Sequence, residues 1–287
     1  MNVPNSKEIQ EKQNTEDNLI IQAAAGHYYN LAEYLNYACW GLCAVSIIFS
    51  FFSDHLIIAV LAVSADLLAL IFGFKISKYT NNAGDLRGQF DDRVLMAVDK
   101  RNEKEKRWLK EIAIKYSQRW KKSCQVQIHN SGRDNPPGKK DWYEFSDEYD
   151  SIQAQIECLK QNAWWNDKLS KYGRVVIMVL HLLVIVCIVV ALVLIKLPLA
   201  GTINAAGVLF FRYIDRIWQN IKYWKTTIKA ETALDIVSEH PSLYGIEKCM
   251  QYINEYRHIS VFACSFIHRI RANKLAELYE KLVSKDF

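Results

Sequence analysis

Residues 175–195 read VVIMVLHLLVIVCIVVALVLI, 21 residues interrupted by a single histidine. At helical rise this run is about 31 Å long, enough to cross the roughly 30 Å apolar core of a bilayer. A soluble core helix of that length carries a polar stripe, because one of its faces meets water. This run has none, so it predicts a membrane-spanning helix around which the rest of the chain has to be arranged.

Two further apolar runs lie at residues 37–52 (YACWGLCAVSIIFSFF) and 56–74 (LIIAVLAVSADLLALIFGF), separated only by Ser53, Asp54 and His55. So short a connection predicts a helical hairpin. A weaker run, residues 197–214, contains Pro198, Gly201 and Asn204. It is read as a fourth span because an even number returns the basic tail to the side of the first. Lys75, Lys78, Lys168, Lys171, Arg174, Arg212 and Arg216 flank the runs, whereas the connection at 53–55 has no basic residue. The positive-inside rule therefore puts both termini in the cytoplasm. The leader before the first run is long and not basic, unlike a cleavable signal, so that run is expected to be retained.

The expected fold is all-α: an integral membrane protein with four transmembrane helices and a large cytoplasmic helical region. Its parts are an N-terminal cytoplasmic helix (1–36), a hairpin of spans (37–74), a cytoplasmic helical region (75–174), a second hairpin (175–214) and C-terminal cytoplasmic helices (215–287). Charged residues make up 23% of the chain beside 51% hydrophobic types, which argues against a protein confined to the bilayer. The formal charge of +5 is small for a protein that packages nucleic acid, and no DNA or RNA polymer is expected as a partner. The seven cysteines are dispersed and form no CxxC pair, which predicts ordinary packing. There is no Gly-rich phosphate loop, no GxSxG and no HExxH, and Gly138-Lys139-Lys140 lacks the earlier glycine of a P-loop. Neither catalysis, a metal nor a cofactor is expected.

Outside the spans, apolar residues recur at helical spacing. Leu19, Ala23, His27 and Leu31 lead towards the first run. Trp108, Ile112, Tyr116 and Trp120 share a face of the basic stretch 100–122, read as an ordinary cytosolic helix or as one lying on anionic headgroups. Residues 125–140 (QVQIHNSGRDNPPGKK) read as a flexible loop or short hairpin. Ile152, Ile156, Leu159 and Ala163 mark a helix from about Glu148 with no proline before the third span. Ile214, Trp218, Ile221, Lys225 and Ile228 continue the fourth run as a stalk to about Ser238, before Pro241.

Asp66 and His181 are the ionisable groups inside the apolar runs, about 12 and 10 Å from the basic side. At such similar depths they can pair, either as polar glue between helices or as part of a pore or gate. Outside the bilayer, Trp142-Tyr143 and Trp164-Trp165 lie among basic residues. Stacking rings beside cations suit a nucleotide, because bases stack and phosphates seek positive charge; packing between helices is the plainer use of the same residues.

Several stretches taken together resemble the SMODS-associated four-transmembrane effectors of bacterial CBASS anti-phage defence. They are EIQEKQN at 8–14, AAAGHYYNLAEY at 23–34, RGQFDDRVL at 87–95, DWY at 141–143 and CLKQNAWWNDKL at 158–169. The chain departs from that pattern at Gly26-His27, where a basic residue is common, and at Asn166, where an aspartate is common. The resemblance implies an inner-membrane effector, homo-oligomeric and coupled to a partner nucleotidyltransferase, that senses a cyclic oligonucleotide and damages the lipid bilayer. Arg87, Arg93, Trp142, Tyr143, Asn162 and Trp165 are the candidates for sensing, and Asp66 and His181 for the pore or gate. The competing readings are a constitutive small ion channel or transporter, and an enzyme acting on lipid headgroups.

Overall fold

The computed structural model describes residues 3–50, 52, 55–96, 101–195, 199–261, 274–275, 277–279 and 281; within 170–211 it describes side chains at 173, 175, 178, 179, 182, 183, 186 and 190. The described residues form an all-helical protein. Four long helices organise it: α2 (Glu16–Ser50), α3 (Leu56–Leu95), α6 (Ser151–Ile195) and α7 (Leu199–Glu239). Each is about 50–70 Å long at helical rise, roughly twice the apolar thickness of a bilayer. Each therefore has a polar half as well as an apolar one. The short helices α1 (Ser6–Gln13), α4 (Glu103–Arg119), α5 (Lys121–His129) and α8 (Leu243–Arg257) pack among the polar halves into a cap.

Among the described residues, α2 and α3 are long and apolar enough to cross a membrane. Only 17% of the apolar window of α3 is buried inside the protein. Leu56, Ile57, Val60, Leu67, Leu70 and Phe74 instead face outward. An apolar surface of this extent needs lipid or another chain against it. Beyond Lys75 the same helix turns inward, burying Ile76, Ala83, Leu86, Phe90 and Val94 at helical spacing. The run at 175–195 lies within α6, which is helical without a break from Ser151, three residues later than the sequence places its start.

Two apolar cores hold the cap. The first joins Ile9, Leu19, Ala23, Phe90, Leu109 and Tyr143 across α1 to α4 and the segment before α6. The second joins Ile156 and Leu159 of α6 to Leu234 and Val237 of α7 and to Ile246 and Ile253 of α8. Close approach of α8 to α3 needs glycine. A Cβ on Gly84 would sit 3.0 Å from the ring of His258, just after α8, and one on Gly88 would sit 3.0 Å from Asn254 Oδ1 of α8. Where the cap meets the apolar halves, Arg216 of α7 donates to the Ser260 carbonyl at 2.6 Å and to Asn36 of α2. Ser260 in turn donates to Thr80 of α3 at 3.3 Å. The short segment after α8 thus touches α3 and α7, and Arg216 carries the contact on to α2.

Three expectations are corrected. The buried face of α4 is Leu109, Ala113 and Tyr116, while Trp108 and Trp120 are exposed, because residues spaced strictly by four drift off one helical face. Residues 125–129 belong to α5, and 131–140 form a compact turn closed by Gly138 N–H and Lys140 N–H bonds to Ser131 and Asn130 carbonyls at 2.7 and 3.0 Å. The stalk face of α7 is reversed. Ile214, Trp218, Ile221 and Ile228 point outward, and Tyr223, Thr227, Ala230, Leu234 and Val237 are buried.

Candidate ligand-sensing site

At the centre of the cap, Asp91 of α3 is 2% exposed and is held by two donors. Its Oδ1 accepts from the Tyr143 hydroxyl at 2.7 Å, and its Oδ2 accepts from Arg257 Nη1 at 2.7 Å. Asn162 Nδ2 of α6 donates to the same Tyr143 hydroxyl at 2.9 Å. Gln13 of α1 fixes the Tyr143 backbone, donating to its carbonyl at 3.0 Å and accepting from its N–H at 2.7 Å. Burial opposes the charge on Arg257, yet Asp91 and the surrounding tyrosine oxygens hold its pKa above the usual arginine range. Burial, reinforced by Asp91, pushes the Tyr143 hydroxyl up, so it stays a donor. One network therefore ties α1, α3, α6 and α8 together in a region where an unpaired charge costs several kcal/mol.

One turn earlier on α3, four residues from Asp91, Arg87 presents its guanidinium to the edge of this network. It donates to Gln22 of α2 and lies over the Trp142 ring, 3.8 Å from the ring centroid. Lys139 places its ammonium 5.4 Å from the same ring. The Lys139 side chain runs so close to α2 that a Cβ on Gly26 would sit 3.3 Å from its Cε. Burial, then repulsion from Arg257, lowers the Arg87 pKa. Burial, then repulsion from Arg87, brings Lys139 down to about 8. Among the described residues no carboxylate forms an ion pair with either cation.

The structure brings four of the six sensing candidates together: Arg87 and Trp142 stack, and Tyr143, next to Trp142 in the chain, accepts from Asn162. Tyr143 is 1% exposed, so its part is to hold the site from below. Arg93 lies elsewhere, on the surface 3.8 Å from Asp17. Trp165 meets Trp164 edge to face, and both rings lie against Tyr279. Lys139, Gln22, Asp91 and Arg257 were not singled out from sequence. Asp91 sits inside the RGQFDDRVL stretch; Arg257 meets it from far along the chain, and Lys139 lies three residues before Trp142 with no motif to single it out. Asp66 Oδ1 is buried without a hydrogen-bond partner among the described residues. The His181 side chain lies outside the described residues, so no Asp66–His181 contact is described.

A cleft of about 570 Å³ opens on the other side of α3, walled by Asp92, Glu247, Glu255, Lys248, His258 and Tyr244. Its three carboxylates suit an anionic ligand poorly. On its wall, His258 Nε2 bonds Asp85 at 2.8 Å, and that bond raises the His258 pKa against the effect of burial. A raised pKa means that the folded protein holds this proton more tightly than the unfolded chain. The resulting stabilisation is complete below about pH 6.5 and is lost as pH climbs through the raised value. Both side chains are about one-third exposed, so the bond is worth at most about 1 kcal/mol. Asp85→Asn is expected to lower the thermal midpoint of the detergent-solubilised protein at acid pH and to leave it unchanged at alkaline pH, as read by circular dichroism.

Long helices with outward apolar halves, joined through a polar cap that holds a cation cluster, define a helical membrane protein with an extramembrane domain. Residues 7–206 match the model of the SMODS-associating 4TM effector domain, and the chain belongs to that family. It is therefore a transmembrane effector of the SMODS-associated, CBASS type of defence. The match covers α2, α3, α6 and the Arg87, Lys139 and Trp142 cluster, while Arg257 and His258 lie beyond it. No curated protein and no solved structure matches the chain.

Proposed function

We propose that the protein is a cyclic-oligonucleotide-gated effector that permeabilises the bacterial inner membrane to stop an infected cell. In this reading the chain crosses the membrane four times, with both termini and the polar cap in the cytoplasm. A partner nucleotidyltransferase supplies the signal. The observation that carries the proposal is continuity: α3 holds Arg87 and the outward apolar face on one helix, and α6 holds Asn162 on the helix that contains the run at 175–195. A ligand that binds one arrangement of the cap more tightly shifts the population of the spans by that difference in affinity. The damaging form is a homo-oligomer, because four helices enclose little space by themselves. The exposed Trp218, Ile221 and Ile228 stripe of α7 offers an apolar face for a neighbouring copy.

Isothermal titration of the full chain in detergent with a panel of cyclic di- and trinucleotides tests the sensing step. Saturable binding by at least one member is expected, and no heat from any member contradicts the proposal.

A further inference from the structure

Around Lys139, hydrogen-bond donors gather without acceptors. Gln22 is wholly buried, and its Oε1 is taken by Arg87. Its Nε2, enclosed beside the same guanidinium, has no hydrogen-bond partner among the described residues. A buried amide donor left unmade is costly, and native proteins rarely keep one without a ligand, an ion or a water to satisfy it. The Arg87 guanidinium and the Lys139 ammonium both lie against the Trp142 ring, and the two like charges repel each other. The nearest negative group in the network, Asp91, has both oxygens committed to Tyr143 and Arg257. What is missing is a compact anion with several acceptor oxygens.

We propose that Lys139, Arg87 and Gln22 form a seat for a phosphate ester between α2, α3 and the turn at 131–140. A phosphate diester carries one negative charge and two free oxygens, which a guanidinium fork and an ammonium contact together while the amide takes the remaining lone pair. Gly26 keeps the seat open on the α2 side, where any larger residue would press on the Lys139 stem. Taking the phosphate to be one link of a cyclic oligonucleotide rests on the function proposed above. The seat for the anion stands without it. The depressed pKa of Lys139 is the state of an empty seat, and a bound anion returns it towards the ordinary lysine value.

The test is competitive acetylation of the full chain in detergent near pH 8, read lysine by lysine by peptide mass spectrometry. The probes are inorganic phosphate and each cyclic nucleotide of the panel. A ligand in the seat is expected to slow labelling of Lys139 by about tenfold or more, since each unit of restored pKa removes about nine-tenths of the neutral amine. Lys248, on the wall of the acidic cleft, serves as the unaffected control. Lys139→Gln is expected to raise the thermal midpoint of the free protein, because a repelled cation is removed, and to abolish phosphate binding. Protection by phosphate and by a cyclic nucleotide supports both the seat and the gating reading. Protection by phosphate with no nucleotide bound keeps the seat and removes the nucleotide. Calorimetric nucleotide binding without protection of Lys139 by any probe overturns the seat and leaves the gating reading standing. Neither protection nor nucleotide binding overturns both.

Discussion

Arg257→Ala is expected to destabilise the cap by about 3–5 kcal/mol, the usual cost of stranding one member of a buried ion pair. Its partner Asp91 is 2% exposed and keeps only the Tyr143 hydroxyl once the guanidinium is gone. A buried carboxylate stripped of its cation is costly enough to open the network. Because Tyr143, Asn162 and Gln13 are bonded through the same few atoms, the loss is shared by α1, α3, α6 and α8. The thermal midpoint in detergent should fall by about 10 °C. The double replacement Arg257→Met with Asp91→Leu should be less damaging than Arg257→Ala alone, since apolar side chains of similar volume substitute for a buried pair at little cost. A fall of under about 1 kcal/mol for Arg257→Ala would mean that the pair does not hold the cap together.

Leu169→Pro is expected to separate sensing from membrane damage. Leu169 lies on α6 between Asn166, which accepts from Tyr223 at 2.5 Å, and the start of the apolar run at Val175. Proline there removes one backbone hydrogen bond and its ring strikes the carbonyl of Trp165, costing about 3 kcal/mol in an uninterrupted helix. Asn162, the α6 residue that bonds Tyr143, lies nearly two turns earlier, so nucleotide binding should change by less than about threefold. Coupling through a rigid helix should fall by up to about a hundredfold if that energy is lost from the open state alone. Leu169→Ala, which preserves the helix, should retain both activities. Undiminished leakage in the proline variant would show that α6 is not the mechanical link.

The apolar halves were legible because bilayer-length runs are the strongest signal a chain can carry: α3 contains the run 56–74 as read, and α2 contains 37–50 of the run read as 37–52. Their continuation into the cap was legible in part: residues 152–163 on α6 keep one face, and Ile156 and Leu159 are buried on it. The reversed face of α7 has a chemical reason. Thr226 and Thr227 donate their hydroxyls to the Lys222 and Tyr223 carbonyls at 2.9 Å and so enter the packed side without an unmet polar group. A reading that treats threonine as polar and isoleucine as core then picks the opposite face. On α4, the strict four-residue spacing of Trp108, Ile112, Tyr116 and Trp120 drifts about 40° per step around the helix, so both ends of the stripe leave the face buried by Leu109, Ala113 and Tyr116. Arg87 and Trp142 were recognisable as residue types. That one lies on the other, with Lys139 beside them and Gln22 beneath, depends on the fold bringing α2, α3 and the turn at 131–140 together. Residues so far apart in the chain leave no periodic trace.

In the proposed mechanism a nucleotide bound in the cap controls the integrity of the bilayer. The most direct measurement is dye release from sealed vesicles of phosphatidylethanolamine and phosphatidylglycerol carrying the purified protein, titrated with the cyclic nucleotide that binds it. Release that is negligible without nucleotide, and that rises over the same concentrations as binding, is the predicted result. Equal release with and without nucleotide would identify a constitutive channel instead, and binding with no release would break the link between the cap and the membrane.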